Sequence, residues 1–266
     1  MILQIIVPAC LVLLAFPSGA ANRATQQLKG SELSAPFYYE FRGPLNEAVW
    51  EKARYTFDGN GTVSRPGMVV SGTDHLSLVV KKLDKPEEGR LYQAGGLSSR
   101  RYFSYGTFTV RMRVPTASGL VASFFLMNRW QPQHWLHQEI DIEFLGKSTN
   151  AIQFTTHKFY ADSGDMSSSD AWVYNAFFNF TAGWHDYSVV WEPKRVAWLV
   201  DGRLVRETKM NVPDEPMNIL MNHWLVDPKT AWGANWLGPF NDSVLPVSAE
   251  YQWVRYEPFG PGKKRR

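Results

Sequence analysis

His137-Gln138-Glu139-Ile140-Asp141-Ile142-Glu143-Phe144-Leu145-Gly146 is the stretch that decides how this chain is read. Acidic and apolar residues alternate in it with a period of two. That period belongs to a β-strand, so Glu139, Asp141 and Glu143 project from one face while Ile140, Ile142 and Phe144 project from the other. Three acids on one face repel one another, and burying them is costly, so the face must open to a cleft or to solvent. The structural alternative is an edge strand that uses charge to block aggregation. The strongly β-forming apolar face argues instead for a central strand.

The same period recurs along the chain. Gly106–Val114 alternates strictly. Tyr187–Trp191, a turn at Glu192-Pro193-Lys194-Arg195 and Val196–Val200 predict a hairpin. Asp201-Gly202 predicts a second one, leading into Arg203–Arg206. Asp58-Gly59-Asn60-Gly61 predicts another turn. No segment shows sustained helical periodicity. Many short strands with frequent turns predict an all-β fold, a curved antiparallel β-sandwich of the jelly-roll, concanavalin A-like type.

The chain has 266 residues, of which 44% are apolar, with 11 Trp, 11 Tyr and 16 Phe. That is enough for one large sandwich with aromatics to spare for a binding surface. Residues 1–21 read as a signal peptide: an apolar run over Ile2–Phe16 is followed by the small residues of Pro17–Ala21. Residues 22–35 are small and polar, a flexible lead-in. Residues 36–259 carry no linker and no repeat, and read as one domain. The only cysteine, Cys10, lies in the signal, so the mature chain has no disulfide, no thiol nucleophile and no Cys-ligated zinc. Lys263-Lys264-Arg265-Arg266 supply four positive charges to a formal net charge of +3, leaving −1 on the rest. The basic residues 260–266 are thus a tail on a near-neutral body, which excludes a nucleic-acid-binding cleft. Asn60-Gly61-Thr62, Asn179-Phe180-Thr181 and Asn241-Asp242-Ser243 are glycosylation sequons.

Paired carboxyl groups beside aromatic side chains are the equipment for cleaving a polysaccharide, because aromatic faces stack on the C–H faces of sugars. Trp130 and Trp135 lie just upstream of the acids, and Trp224, Trp232 and Trp236 near the end of the chain. With Glu139 and Asp141 ionised, Glu143 resists losing its proton and can act as general acid. Glu139 is then the nucleophile, and Asp141 assists by hydrogen bonding and by tuning both neighbours. Positions i and i+4 lie about 13 Å apart at Cα on a strand. Retaining glycosidases hold their carboxyl groups about 5–5.5 Å apart and inverting ones about 6.5–9.5 Å, so the side chains must lean together on a twisted sheet. His134 and His137 stand at i and i+3 but have no evident third ligand, and no metal site is assigned.

Glu139–Lys147 resembles the active-site strand of glycoside hydrolase family 16, most closely its bacterial lichenase (endo-1,3-1,4-β-glucanase) branch. The similarity extends over Ser104-Tyr105-Gly106, Ser123-Phe124-Phe125, Gln153-Phe154, Trp198–Gly202, Met221–Trp224, Asn235–Gly238 and Ala249–Val254. The un-bulged spacing of the three acids separates this branch from laminarinases, agarases and carrageenases. The resemblance implies a curved jelly roll, a retaining mechanism and the roles already given to Glu139, Asp141 and Glu143. It implies further that Asn222, Trp224 and Trp236 line the sugar cleft, and Trp130, Trp135, His137 and Gln153 are further candidates for contact with the sugar. His137 stands where lichenases have an aromatic residue and is similar to the plant xyloglucan transglycosylases. Gly96 and Ser98 replace residues that hold the donor sugars, and Thr155 and His157 replace a polar and an aromatic cleft residue. Gln252 replaces an Asp that helps bind a structural calcium, so no cofactor is expected. The expected partner is a β-glucan, met by a secreted monomer with no membrane span. Endo-hydrolysis of mixed-linkage or related β-glucan is the leading expectation, transglycosylation on the same fold the alternative, and a non-catalytic glucan-binding protein the third.

Overall fold

The computed structural model describes residues 33–57, 59–128, 136–160 and 168–259. The expected signal, most of the lead-in and the basic tail lie outside them. The described residues hold sixteen strands: β1 (Phe37–Glu40), β2 (Trp50–Lys52), β3 (Thr62–Ser64), β4 (Val69–Ser71), β5 (Leu76–Glu87), β6 (Arg90–Phe103), β7 (Gly106–Arg113), β8 (Leu120–Met127), β9 (Leu136–Leu145), β10 (Ala151–Tyr160), β11 (Ser169–Asn175), β12 (His185–Glu192), β13 (Arg195–Val200), β14 (Arg203–Thr208), β15 (Met217–Leu225) and β16 (Val247–Pro258). They form the curved, almost wholly antiparallel jelly-roll sandwich that the alternating patterns predict. Only β3 runs parallel to its partner, β6.

One layer follows the order β11-β10-β9-β8-β15-β6, and the other β5-β16-β7-β12-β13-β14. β6 belongs to both. Its first part, around Tyr92–Ala94, pairs with β5, and from Gly95 onward it pairs with β15. The corner needs a glycine, because a Cβ on Gly95 would run into the carbonyl oxygen of Met68. β1 pairs with β16, setting Phe37 opposite Tyr256 and bringing the two ends of the fold together. The last residues of the expected lead-in are docked too: Tyr256 Oη donates to Leu33 O at 3.2 Å, and Arg101 donates to Ala35 O.

The predicted hairpins appear where turn chemistry places them. Asp201 and Gly202 take φ of +48° and +76°, the left-handed pair that matches strand twist. One element escaped the sequence reading: the short helix α1 (Ala231–Leu237). Seven residues span two turns, too few to show a helical period, and Gly233 weakens the local propensity.

Ile140, Ile142 and Phe144 point between the layers and are fully buried. Phe144 meets Tyr187 edge-on, with ring centroids 4.7 Å apart. Trp198, from β13 in the opposite layer, packs on Phe154 and donates its indole N–H to the Asp141 carbonyl oxygen at 3.0 Å. Gln138 ends this inward face. It is fully buried yet satisfied, accepting from Asp214 N at 2.6 Å and donating to Asp214 Oδ1 at 2.9 Å. The acid strand is therefore held from behind by a hydrogen bond at its centre and another pair at its end.

Asn60, one of the three sequon asparagines, is buried, and its Oδ1 accepts from both the backbone N–H and the hydroxyl of Thr62. It is part of the fold and has no room for a glycan, whereas Asn179 and Asn241 are exposed. No helix among the described residues is long and apolar enough to cross a membrane.

Trp198→Phe keeps most of the ring but leaves the Asp141 carbonyl without its cross-layer donor. It should cost about 1–3 kcal/mol, and at about 2–4 °C per kcal/mol for a domain of this size, calorimetry should record a fall of several degrees in Tm.

Candidate active site

β9 lies between β8 and β10, so the acids are on a central strand and not on an edge. Neither ladder carries a bulge along it. The register builds the open face of the layer in rows. Gly96, Asn222, Ser123, Glu143, Gln153 and Val173 lie side by side on successive strands. The next row is Ser98, Leu220, Phe125, Asp141, Thr155 and Ala171, and a third holds Met127, Glu139, His157 and Ser169. Phe125, Met127 and Leu220 form an apolar floor beside the acids, with Tyr55 packed against them. Apolar neighbours on one side and opposed charges on the other leave the carboxyls poorly solvated: Glu139 is 8% exposed and Asp141 4%, with Glu143 the most open of the three.

Each acid has a different polar neighbour, and the neighbours separate their proton affinities. Burial alone would raise Glu139, but His137 Nε2 stands 2.8 Å from its Oε2, and with that hydrogen bond, the charge of His137 and a hydrogen bond from Asp141 it is held below the usual carboxylate range. Burial, then the negative charges of Glu139 and Glu143, drive Asp141 well above that range, and it hydrogen-bonds to Glu139 as a proton donor. Burial, then the charge of Glu139, raises Glu143 to about 8, against the hydrogen bond from Gln153 Nε2 at 2.9 Å, which favours the charged form. Glu139 is thus pushed toward the charged form, and Asp141 and Glu143 toward the protonated form. For Asp141 the direction runs opposite to the expectation that it is ionised beside Glu139. The reason is desolvation, which a charge count along the strand does not contain.

The other candidate residues fall in different places. His137 is buried against Glu139 and stacks on Phe159, with centroids 4.9 Å apart. Gln153 joins Glu143 to Trp236, whose indole N–H donates to Gln153 Oε1 at 3.1 Å. Trp236 is contributed by α1 and is buried, as is Trp224, which packs edge-on to Phe57 and against Trp236. In this arrangement the two indoles support Gln153. Asn222 accepts a hydrogen bond from Ser123, its neighbour in the Glu143 row. Trp130 and Trp135 lie outside the described residues.

The sequence reading set His157 in the cleft but did not see it as a neighbour of Asp141. Its Nε2 lies 3.2 Å from Asp141 Oδ2 and its Nδ1 2.6 Å from Ser169 Oγ. A signal existed: Gln153, Thr155 and His157 alternate with Ile152 and Phe154, and pairing that strand with β9 sets His157 opposite Glu139.

Gln252 can be tested for calcium. Its Oε1 accepts from Arg111 Nε at 3.1 Å, and Arg111 Nη1 pairs with Asp186 Oδ1 at 2.8 Å. Its backbone oxygen accepts from Phe41 N at 2.8 Å. A neutral amide already bonded to a guanidinium does not fit a hard divalent cation, which requires several anionic oxygens.

Comparison with known proteins follows this geometry. The family described as glycosyl hydrolases family 16 matches residues 56–238. A β-glucanase of Brevibacillus brevis is 29% identical over 249 residues, covering 91% of this chain and 90% of that one. A β-glucanase of Bacillus licheniformis is 31% identical over 242 residues, covering 89% of each. A crystal structure of a prokaryotic β-1,3-1,4-glucanase (lichenase) from a mouse hindgut metagenome superimposes with a TM-score of 0.73 at 29% identity, covering 84% of this chain and 99% of that one.

Two outcomes test the site's electrostatics. Unfolded Glu143 ionises near 4.5, the ordinary value for a glutamate, while folded Glu143 holds its proton to about 8. The folded state therefore binds more protons between those values, and stability falls as pH rises through that window. Glu143→Gln, which cannot ionise, should raise Tm at pH 8, with the gain shrinking toward pH 5. At the Gln252 position, added calcium chloride should leave Tm unchanged, whereas Arg111→Met should lower it.

Proposed function

The chain belongs to glycosyl hydrolase family 16, a glycosidase family acting on O-glycosyl bonds, and from that membership we propose that it is a secreted, monomeric endo-β-glucanase cleaving mixed-linkage β-1,3-1,4-glucan or a related β-glucan with retention of configuration. The observation that carries this reading is the separation of proton affinities along β9. A buried, ionised Glu139 and a protonated Glu143 on the same face are the nucleophile and the acid of a double displacement. Glu139 attacks the anomeric carbon while Glu143 passes its proton to the leaving glycosidic oxygen. The covalent glycosyl–Glu139 ester is then hydrolysed by a water molecule whose proton returns to Glu143. Asp141 donates its hydrogen bond to Glu139 and so steadies the carboxylate before attack and as leaving group. Gln153, held by Trp236, orients Glu143. The β-glucanase names of the relatives support the substrate class. Export is supported by the apolar run of residues 2–16 followed by small residues.

A second reading on the same chemistry is transglycosylation, in which a sugar hydroxyl replaces water. His137 against Glu139 and the small residues Gly96 and Ser98 on the open face favour it. Both readings share the glycosyl–enzyme step and differ in its acceptor.

Glu139→Gln should reduce turnover of mixed-linkage glucan to background; normal turnover by this variant would remove the assignment. NMR of the first product should show the β-anomer, and an α-anomer would rule out retention. Supplying an acceptor oligosaccharide should give new reducing ends if water is the acceptor, and longer chains if the enzyme is a transglycosylase.

The pH profile gives a further check. kcat/KM should fall above pH about 8, where Glu143 loses its proton. Gln153→Leu removes a hydrogen bond that favours the charged form, so its alkaline limb should move to higher pH.

A further inference from the structure

His157 has no part in the displacement just described, yet it stands at its centre. Glu139, Asp141 and His157 each present one ligand atom, and these atoms lie within 4.8 Å of one another. All three residues are buried. The imidazole is prepared on its far side: Nδ1 lies 2.6 Å from Ser169 Oγ, and with that nitrogen as donor the lone pair of Nε2 faces Asp141. A hydrogen-bond partner on the far ring nitrogen orients metal-binding histidines in this way. Glu139 has its own outer partner in His137, 2.8 Å from Oε2.

Asp141 supplies an independent sign. Its Oδ2 is buried and has no hydrogen bond. His157 Nε2 lies 3.2 Å away. That separation suits two ligands of one ion: bonds of about 2.1 Å put adjacent ligands about 3.0 Å apart in an octahedron and about 3.4 Å apart in a tetrahedron. Two carboxylates would neutralise a divalent cation, which favours its burial. An imidazole nitrogen with two carboxylates suits zinc-type ions, whereas calcium and magnesium prefer all-oxygen shells.

We propose that Glu139, Asp141 and His157 bind a divalent transition cation of the zinc type, and that its binding blocks the enzyme. The ion displaces the Asp141 proton to solvent and engages the Glu139 carboxylate. Inhibition rests on the reading of Glu139 as nucleophile; binding does not.

The test is calorimetric titration of zinc chloride into the full chain, freed of metal and held at neutral pH in a non-chelating buffer. One saturable site is expected. Ser169→Ala, which removes only the outer partner, should weaken binding roughly 10–100-fold. His157→Gln, with its fold checked by circular dichroism, should abolish saturation. Absence of saturable binding by the wild type, or unchanged affinity in His157→Gln, would overturn the site. Glucanase activity should fall along the same binding curve and return on adding EDTA. Zinc that binds through His157 without inhibiting would overturn the blocking role and count against Glu139 as nucleophile, while leaving the site itself intact.

Discussion

The cost of taking three carboxyl groups out of water governs this molecule. Along β9 the acids alternate with Ile140, Ile142 and Phe144, which cannot leave the core. The side-chain period of a strand then commits Glu139, Asp141 and Glu143 to the opposite face together. Three negative charges there would be untenable, and the structure relieves them by protonation. Asp141 and Glu143 are raised, mainly by burial, and Glu139 is lowered by His137 and by a hydrogen bond from Asp141. Charge is favoured on Glu139 and disfavoured on its two neighbours, a distribution suited to general acid catalysis.

The rest of the sandwich holds that strand still. The Trp198 indole reaches across the core to the Asp141 carbonyl, and Gln138 fastens the strand to the segment preceding β15. On the cleft side a relay runs from α1 through Trp236 and Gln153 to Glu143. Catalytic groups on strands, oriented by partners that are themselves buried, lose little entropy on reaching their working geometry. The active site therefore carries an electrostatic burden that the surrounding core offsets, a common relation between function and stability.

Much of this was legible in the chain. Strict alternation at Gly106–Val114 and the Asp201-Gly202 turn announced strands and hairpins that the structure contains, because strand faces and left-handed turns are local properties. The acid row was legible for the same reason. α1 was not, being too short to show a period, and with it went the position of Trp236. His157 was visible as a letter but not as a neighbour of Asp141. Its place depends on the antiparallel register of β9 and β10, combined with the lean of side chains across a diagonal.

The sequence by itself determined the face on which the three acids stand, the un-bulged spacing between them, the sandwich class and the resemblance to a glycosidase family. All of these follow from periods of two and from residue identity. Only the tertiary structure decided which acids keep their protons. That outcome depends on how much water each carboxyl loses and on which donor meets it, and Phe125, Met127, Gln153 and His157 reach the site from the strands on either side of β9, with Leu220 joining from the distant β15. Desolvation is a property of the assembled cleft, so it was the fold that turned an alternating row of acids into one base and two acids.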